Sequence, residues 1–194
     1  MRVNVLGEKI VHDGYISVIE ASLQECCKSS NSTTYKRQKV LMPNSVCGLI
    51  YNTDTECVVL VKQFRYPIKS KINDGFIYEV VAGTMKENED PRETFIRESF
   101  EEVGYVLDRK NVELYSCCYI APGYSTEKMY YFIATATNKN KKKGAGGGLA
   151  SENENIEICE IHYLQFKSMM DTLEDAKTKF LAYEAHFKKI FDKK

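Results

Sequence analysis

The sequence predicts an α+β domain, in which a mixed set of strands surrounds one central helix and helices follow at the end. Three observations carry this prediction. Apolar runs of strand length recur between residues 15 and 137, a helix with clear end signals interrupts them near residue 90, and residues 165–191 follow a helical spacing. This order fits layers of sheet and helix packed on one core.

The strands are predicted from short apolar runs separated by turn residues. The runs SVCGLIY and ECVVLVKQF flank the polar turn 52–55, which predicts a hairpin, and the polar segments 28–34 and 66–75 are predicted as loops. The predicted strands are residues 15–24, 45–51, 56–64, 76–82, 112–120, 129–137 and 156–164.

The central helix is predicted from signals at both of its ends. Asp90 is a suitable N-cap, Pro91 suits the first helical position, and Glu93 completes a capping box. Gly104 supplies the stop signal. The apolar residues Ile96, Phe100 and Val103 recur at helical spacing and are expected to dock on the core.

An acidic face is predicted on the other side of this helix, formed by Glu98, Glu101 and Glu102. Like charges three and four residues apart destabilise a helix by roughly 0.2 to 0.5 kcal/mol per pair. Arg97 can neutralise only part of the face, whereas Mg²⁺ prefers carboxylate oxygens. The spacing therefore leaves two readings open: a solvated acidic face with ion pairs, or a metal site.

The end of the chain is predicted to be helical and to pack on the sheet. The apolar residues behind this prediction are Phe180, Leu181, Tyr183, Ala185, Phe187, Ile190 and Phe191. The lysine- and glycine-rich segment 139–148 is predicted as a mobile loop, because it lacks the interleaved aromatic residues of a nucleic-acid surface.

Composition predicts an ordinary protein of the cytoplasm. The 194 residues are 43% hydrophobic, and 27 basic residues balance 27 acidic ones, so net charge favours neither nucleic acid nor membrane surfaces. Neither a secretory leader nor a membrane-spanning segment is expected. The seven cysteines lack the spacing of a zinc site and are expected to be free, buried thiols. The three scattered histidines are assigned no ligand role.

The helix also carries a spaced motif. Gly83 is followed after five residues by Glu89, and after seven more by RESFEEVGY at residues 97–105. This pattern resembles the Nudix box, the signature of Nudix hydrolases. Ser99 and Tyr105 depart from it at two hydrophobic positions.

The resemblance extends beyond the box to the sugar-nucleotide branch of the family, through the segments VVLVKQFR, EVVAG, APGYSTE and GAGGGLASENENIEI. It implies the Nudix fold, a mixed sheet packed between helices as an α/β/α sandwich, with an antiparallel strand extension at the N-terminus. Residues 1–44 would be that extension and residues 45–194 the catalytic domain. In this branch the extension commonly joins a homodimer, so a homodimer is expected.

The resemblance also implies a site and a reaction. The reaction would be hydrolysis of a diphosphate bond, with Mg²⁺, or alternatively Mn²⁺, held by Glu98, Glu101, Glu102 and the carbonyl of Ala82, next to Arg97. The general base would be Glu152 in GLASENEN, with Glu154 as the second candidate. Substrate contacts are expected from Arg65, Arg37, Glu79, Glu127 and Tyr124.

The substrate and the activity each leave alternatives. UDP-glucose and ADP-ribose are ranked nearly level, and GDP-mannose is ranked third. The alternative to an enzyme is a catalytically inactive Nudix-like module that binds nucleotides or a partner protein. The intact glutamates of the box favour the enzyme.

Overall fold

The computed structural model describes residues 2–26, 32–152 and 154–192. The strands are β1 Arg2–Asp13, β2 Ser17–Cys26, β3 Thr33–Leu41, β4 Ser45–Asn52, β5 Cys57–Phe64, β6 Phe76–Glu79, β7 Val81–Thr84, β8 Val112–Tyr119, β9 Lys128–Ala136 and β10 Glu157–His162. The helices are α1 Pro91–Val103, α2 Tyr163–Met169 and α3 Ala176–Phe187. Backbone contacts divide the chain into a smaller unit, Met1–Asn44 with Cys118–Met129, and a larger unit, Ser45–Cys117 with Tyr130–Lys194.

The smaller unit is built on an antiparallel sheet in the order β1-β2-β3. Its third strand also pairs with the segment 118–129: the Val40 N–H donates to the Tyr124 carbonyl at 2.7 Å, and the Thr126 N–H donates to the Val40 carbonyl at 3.1 Å. Strands β1 and β3 were not predicted individually, because charged residues interrupt their alternation of apolar and polar positions.

The larger unit contains most of a seven-stranded sheet, apart from the end of β8 and the start of β9. The strand order is β10-β5-β4-β9-β8, in which β6 pairs with β5 and β7 pairs with β4. The predicted hairpin is confirmed, since Ile50 lies opposite Val59 and Asn52 lies opposite Cys57. All eight residues of β4 are buried, so this strand is covered on both faces.

Helices cover both faces of the sheet. Ile50 belongs to the core cluster that contains Phe95 of α1. The next residue, Tyr51, points to the other face, where its ring lies 5.3 Å from the Phe191 ring. The predicted sheet between helices is therefore confirmed.

The prediction of one strand at residues 76–82 is wrong. Strand β6 pairs with β5 as far as Glu79, whereas β7 pairs with β4 from Val81 onward. The N–H of Val80, which lies between β6 and β7, donates to Thr178 Oγ1 at 2.8 Å. The continuous apolar run gave no sign of this break, because the bond that stabilises it comes from a helix 98 residues further along the chain.

Helix α1 begins and ends as predicted. The Asp90 side chain accepts hydrogen bonds from the N–H groups of Arg92 and Glu93, and Gly104 adopts a left-handed conformation with φ of 72°. The capping box does not form, because the Glu93 carboxylate pairs with Arg109.

The predicted apolar stripe of α1 is wrong at Phe100, whose exposed fraction is 45%. The buried residues of the helix are Thr94, Phe95, Ser99, Glu102 and Val103. The Phe95 ring packs on Gly48, where a methyl group would lie 2.3 Å from it. This packing turns Glu102 toward the sheet.

The helical prediction for the end of the chain is confirmed by α2 and α3. Leu181 and Ala185 of α3 are buried, whereas Phe180 and Phe187 are exposed.

Within the described ranges, no helix is long and apolar enough to cross a membrane. The six described cysteines are free thiols, as predicted, but the expectation that they are buried is confirmed only for Cys47, and Cys117 and Cys118 are exposed. Cys27 lies outside the described residues.

Candidate active site

Arg97 lies at the centre of the acidic cluster on α1. Its Nη1 donates to Glu98 Oε1 at 2.7 Å and to Glu101 Oε2 at 2.8 Å, and its Nε donates to Glu89 Oε1 at 3.1 Å. Burial opposes the charged form of Arg97, but its bonds to Glu89 and Glu98 raise its pKa overall. The bond from Arg97 lowers the pKa of Glu89 to about 2. Arg97 is thus a permanent cation that orients three carboxylates.

Glu98 is held close to β7. A methyl group added at Gly83 would lie 2.0 Å from its carboxyl carbon, so only glycine leaves room for this side chain. Burial raises the pKa of Glu98 to about 7, although Arg97 acts in the opposite direction.

Glu102 is the most deeply buried carboxylate of the cluster, with an exposed fraction of 2%. Its Oε2 accepts a hydrogen bond from the Ala82 N–H at 3.1 Å. Burial raises its pKa to about 8, and the negative charges of Glu98, Glu154 and Glu79 add to the rise. An ionised carboxylate that is buried with a single hydrogen-bond donor destabilises the fold unless a cation binds to it.

The residues present fit a hard divalent cation. The expected ligands are all oxygen donors: Glu98, Glu101 and Glu102 on α1, and the backbone of Ala82 on the neighbouring strand. Within the described part of the chain, no three His, Cys, Asp or Glu side chains already converge as a metal site. The carboxylates of Glu98 and Glu101 are instead turned toward Arg97.

The glycine-rich segment, predicted as a mobile loop, is hydrogen-bonded to the end of α1. The Gly147 N–H donates to the Glu102 carbonyl at 2.8 Å, and the Gly148 N–H donates to the Glu101 carbonyl at 3.1 Å. These bonds satisfy carbonyls that a helix end leaves without partners. The glycine-rich segment is therefore held against the C-terminal end of α1 by backbone hydrogen bonds.

Of the two candidate bases, the structure describes the side chain of Glu154. Its Oε2 accepts from the Leu149 N–H at 3.0 Å, and its charge raises the pKa of both Glu98 and Glu102. The backbone of Glu152 ends a 3-10 turn, and its side chain lies outside the described residues. The segment that carries both candidates thus lies beside the acidic cluster.

A second charged group surrounds the buried carboxylate of Glu79. Its Oε2 accepts from Gln63 Nε2 and from Arg65 Nε, each at 2.9 Å, and its Oε1 accepts from Lys177 Nζ. Lys177 also donates to Asp175 Oδ1 at 3.0 Å. Burial opposes the charge of Lys177, but Glu79 and Asp175 raise its pKa overall.

Sequence reasoning missed Lys177, although the sequence holds a signal for it. Lys177 stands in the first turn of α3, two residues after the N-cap Asp175. The positive end of the helix dipole disfavours a cation there, so a lysine at this position needs acidic partners.

Comparison with known proteins decides the family. A model of the NUDIX domain matches residues 41–183. The chain belongs to the Nudix family. It is thus a Nudix hydrolase, and α1 carries its motif.

Curated relatives match nearly the whole length of this Nudix chain. The GDP-mannose pyrophosphatase of Enterobacter sp. (strain 638) is 31% identical over 186 residues, which cover 93% of each chain. The GDP-mannose pyrophosphatase of Escherichia coli (strain K12) is 32% identical over 185 residues, again 93% of each chain. A crystal structure of an ADP compounds hydrolase has the same fold, with a TM-score of 0.70 at 18% identity over 97% of this chain and 96% of that one.

The two departures from the Nudix pattern are both accommodated in the core. Ser99 is fully buried, and its hydroxyl donates to the Phe95 carbonyl at 2.7 Å. Tyr105 is also buried, and its hydroxyl accepts from Asn52 Nδ2 at 3.0 Å and donates to Glu160 Oε1 at 2.8 Å. Neither departure removes a carboxylate of the cluster.

The three remaining predicted site residues belong to the smaller unit. Arg37 lies on β3, with its guanidinium 4.6 Å from the centre of the Tyr35 ring. Tyr124 is exposed, and the Glu127 N–H donates to Ser125 Oγ at 3.1 Å. The substrate contacts assigned to Arg37, Tyr124 and Glu127 stay predictions.

Proposed function

We propose that this Nudix hydrolase cleaves the diphosphate bond of a nucleoside-diphosphate sugar in a reaction that requires Mg²⁺ or Mn²⁺. The products would be a nucleoside monophosphate and a sugar phosphate. The observation that carries the proposal is the buried Glu102 carboxylate at the Ala82 amide, next to Glu98. The names of the relatives that match 93% of the chain support the substrate class.

The charge of the cluster explains the need for a cation. A diphosphate is anionic and would be repelled by Glu98, Glu101 and Glu102 alone. When bound, the cation would neutralise phosphate oxygens and acidify the attacking water. Arg97 orients two of the carboxylates, and the Ala82 N–H orients the third.

Arg65 is suited to grip the diphosphate. Its Nε is occupied by Glu79, and in the described part of the chain neither of its Nη nitrogens donates a hydrogen bond to the protein. Its side chain is 44% exposed. A guanidinium held at Nε presents two parallel donors that match a pair of phosphate oxygens.

The proton of the attacking water would be taken by a glutamate of the segment that carries Glu152 and Glu154. The carboxylates of α1 are needed for the cation, so the base must come from elsewhere. We assign the base to Glu152, with Glu154 as the alternative.

The relatives change the order of the candidate substrates. The sequence ranked UDP-glucose and ADP-ribose first, whereas the curated relatives carry the name GDP-mannose pyrophosphatase. We therefore place GDP-mannose first, followed by ADP-ribose and UDP-glucose.

A substrate panel tests this proposal. The purified chain is incubated with GDP-mannose, ADP-ribose, UDP-glucose and nucleoside triphosphates, with Mg²⁺ or with a chelator, and kcat/KM is measured from monophosphate release. Cleavage of a sugar nucleotide, strongest for GDP-mannose and abolished by the chelator, is expected. Cleavage of triphosphates alone would refute the substrate class, and no cleavage at all would favour the inactive binding module.

Replacing Gly83 by alanine is expected to lower turnover while leaving the fold intact. The added methyl group would displace the Glu98 carboxylate, which is the flexible end of a side chain, so the cost in stability is small. A misplacement of about 1 Å in a catalytic group can cost about 100-fold in rate. Kinetics and thermal unfolding check this, with Gly7→Ala as control because a methyl group there meets nothing. Full activity of Gly83→Ala would show that the position of Glu98 is unimportant.

We also propose that residues 1–44 join two copies of the catalytic domain 45–194 in a cytoplasmic homodimer. Besides the family resemblance, support comes from β1, where Val5 and Ile10 are each 61% exposed. The double substitution Val5→Glu with Ile10→Glu is expected to convert a dimer into a monomer in light scattering. Thr34→Glu, on the exposed part of β3, is the control. A monomeric native chain, or a double variant that stays dimeric, would refute this interface.

A further inference from the structure

We propose that Lys177 is a positioning residue for substrate binding, which acts through Glu79 on Arg65. This inference rests on the proposed diphosphate cleavage for its functional meaning. The contacts that carry it are a chain of three charged side chains: Lys177 to one oxygen of Glu79, and the other oxygen of Glu79 to Arg65 Nε.

The two oxygens of Glu79 are assigned to different partners. Oε1 accepts from Lys177, and Oε2 accepts from Arg65 Nε and from Gln63. The Glu79 side chain is 6% exposed and that of Lys177 is 13% exposed, so water cannot easily replace either partner. Because Lys177 occupies Oε1, Arg65 meets the carboxylate through Nε alone.

Lys177 is itself fixed by the start of α3. Asp175 caps the helix through Oδ2, which accepts from the Thr178 N–H at 2.9 Å, while its Oδ1 accepts from Lys177. Thr178 Oγ1 in turn accepts from the Val80 N–H, next to Glu79 in the chain. The first turn of α3 therefore fixes both the backbone and the carboxylate of this part of the site.

Loss of Lys177 would change how Arg65 is held. Oε1 of Glu79 would then lack the donor that Lys177 supplies, and the carboxylate could rotate to accept from both Nε and an Nη of Arg65. A planar guanidinium forms such bidentate pairs readily. One Nη of Arg65 would then be bound to Glu79 and the guanidinium would turn with the carboxylate, so the two Nη nitrogens would no longer be held toward the diphosphate. We expect this change to weaken substrate binding more than it slows the chemical step.

A double-mutant cycle distinguishes positioning of Arg65 by Lys177 from a direct contact between Lys177 and the substrate. Lys177→Met and Arg65→Met are each expected to raise KM for the cleaved sugar nucleotide about tenfold, with kcat changed less than about threefold. The double variant is expected to lie within about twofold of Arg65→Met alone, because Lys177 then has nothing to position. Additive losses, about 100-fold together, would mean that Lys177 acts independently of Arg65 and would overturn the proposal.

Two further variants keep the test decisive. Lys179→Met is the matched control, since Lys179 lies on the same helix and its Nζ donates to the Asp171 carbonyl at the surface. Lys177→Gln serves if Lys177→Met does not fold, because the amide keeps a donor for Glu79 without the charge. An unchanged KM in a folded Lys177 variant would also overturn the proposal.

A measurement without substrate separates this inference from the proposed function. The 15N NMR signal of Arg65 Nε–H, assigned by its loss in Arg65→Lys, is expected to shift in Lys177→Met and to stay in place in Lys179→Met. If the native chain cleaves no sugar nucleotide, the proposed function fails, and this signal still reports the positioning. An identical Arg65 signal in both variants would overturn the positioning itself.

Discussion

Replacing Glu102 by glutamine is expected to lower turnover by a factor of at least about 100 and, without metal, to make the protein more stable. The loss of activity follows because the substitution removes a buried ligand charge. The gain in stability follows because the amide oxygen can still accept from the Ala82 N–H, while the cost of burying a charge disappears.

The sign of the pH dependence follows from the raised pKa. The pKa of Glu102 rises from 4.5 to about 8 on folding, so the folded state binds this proton more tightly than the unfolded chain does. The stability that this proton contributes is fully present below pH 4.5 and is lost as the pH rises to about 8. One pKa unit corresponds to roughly 1.4 kcal/mol, so the total is on the order of several kcal/mol.

Thermal unfolding in chelator from pH 5 to pH 8.5 checks this expectation. The native protein should lose stability across this range more steeply than Glu102→Gln, and added Mg²⁺ should stabilise the native protein but not the variant. The exposed Glu87→Gln is the control. If Glu102→Gln matched the native protein in its pH profile and kept its response to Mg²⁺, Glu102 would not be a ligand.

Replacing Glu152 by glutamine is expected to slow turnover by a factor of about 100 to 10,000, with KM changed little, because a general base is lost. Glu154→Gln should have the smaller effect, since Glu154 accepts from the Leu149 N–H and thereby stabilises the turn. Steady-state kinetics over a range of pH compares the two. A larger loss of kcat for Glu154→Gln would move the base to that residue.

The central helix was predictable because its signals are local. An N-cap at Asp90, a proline at the first helical position and Gly104 at the end all act within one turn of the helix. The rotation of the helix was not predictable, because it depends on the packing of Phe95 on Gly48, a residue of strand β4. The prediction that Glu102 lies on the side of the helix opposite the core is therefore wrong, because Glu102 is buried against the sheet.

The charged group around Glu79 was also not predictable, because it depends on contacts between residues that are far apart in the chain. Glu79 and Lys177 lie 98 residues apart, and the strand break at Val80 depends on Thr178 of the same helix. A buried ion pair leaves no periodic pattern in the sequence. Only the unfavourable position of Lys177 in the first turn of α3 hinted that it has a partner.

Identifying the products formed from GDP-mannose tests whether this chain cleaves the diphosphate bond in a metal-dependent reaction. With Mg²⁺, we expect GMP and mannose 1-phosphate, resolved by anion-exchange chromatography and mass spectrometry, and neither product in the presence of chelator. Release of GDP and free mannose, or cleavage that continues unchanged in chelator, would contradict a metal-dependent attack on the diphosphate at the Glu98, Glu101 and Glu102 cluster.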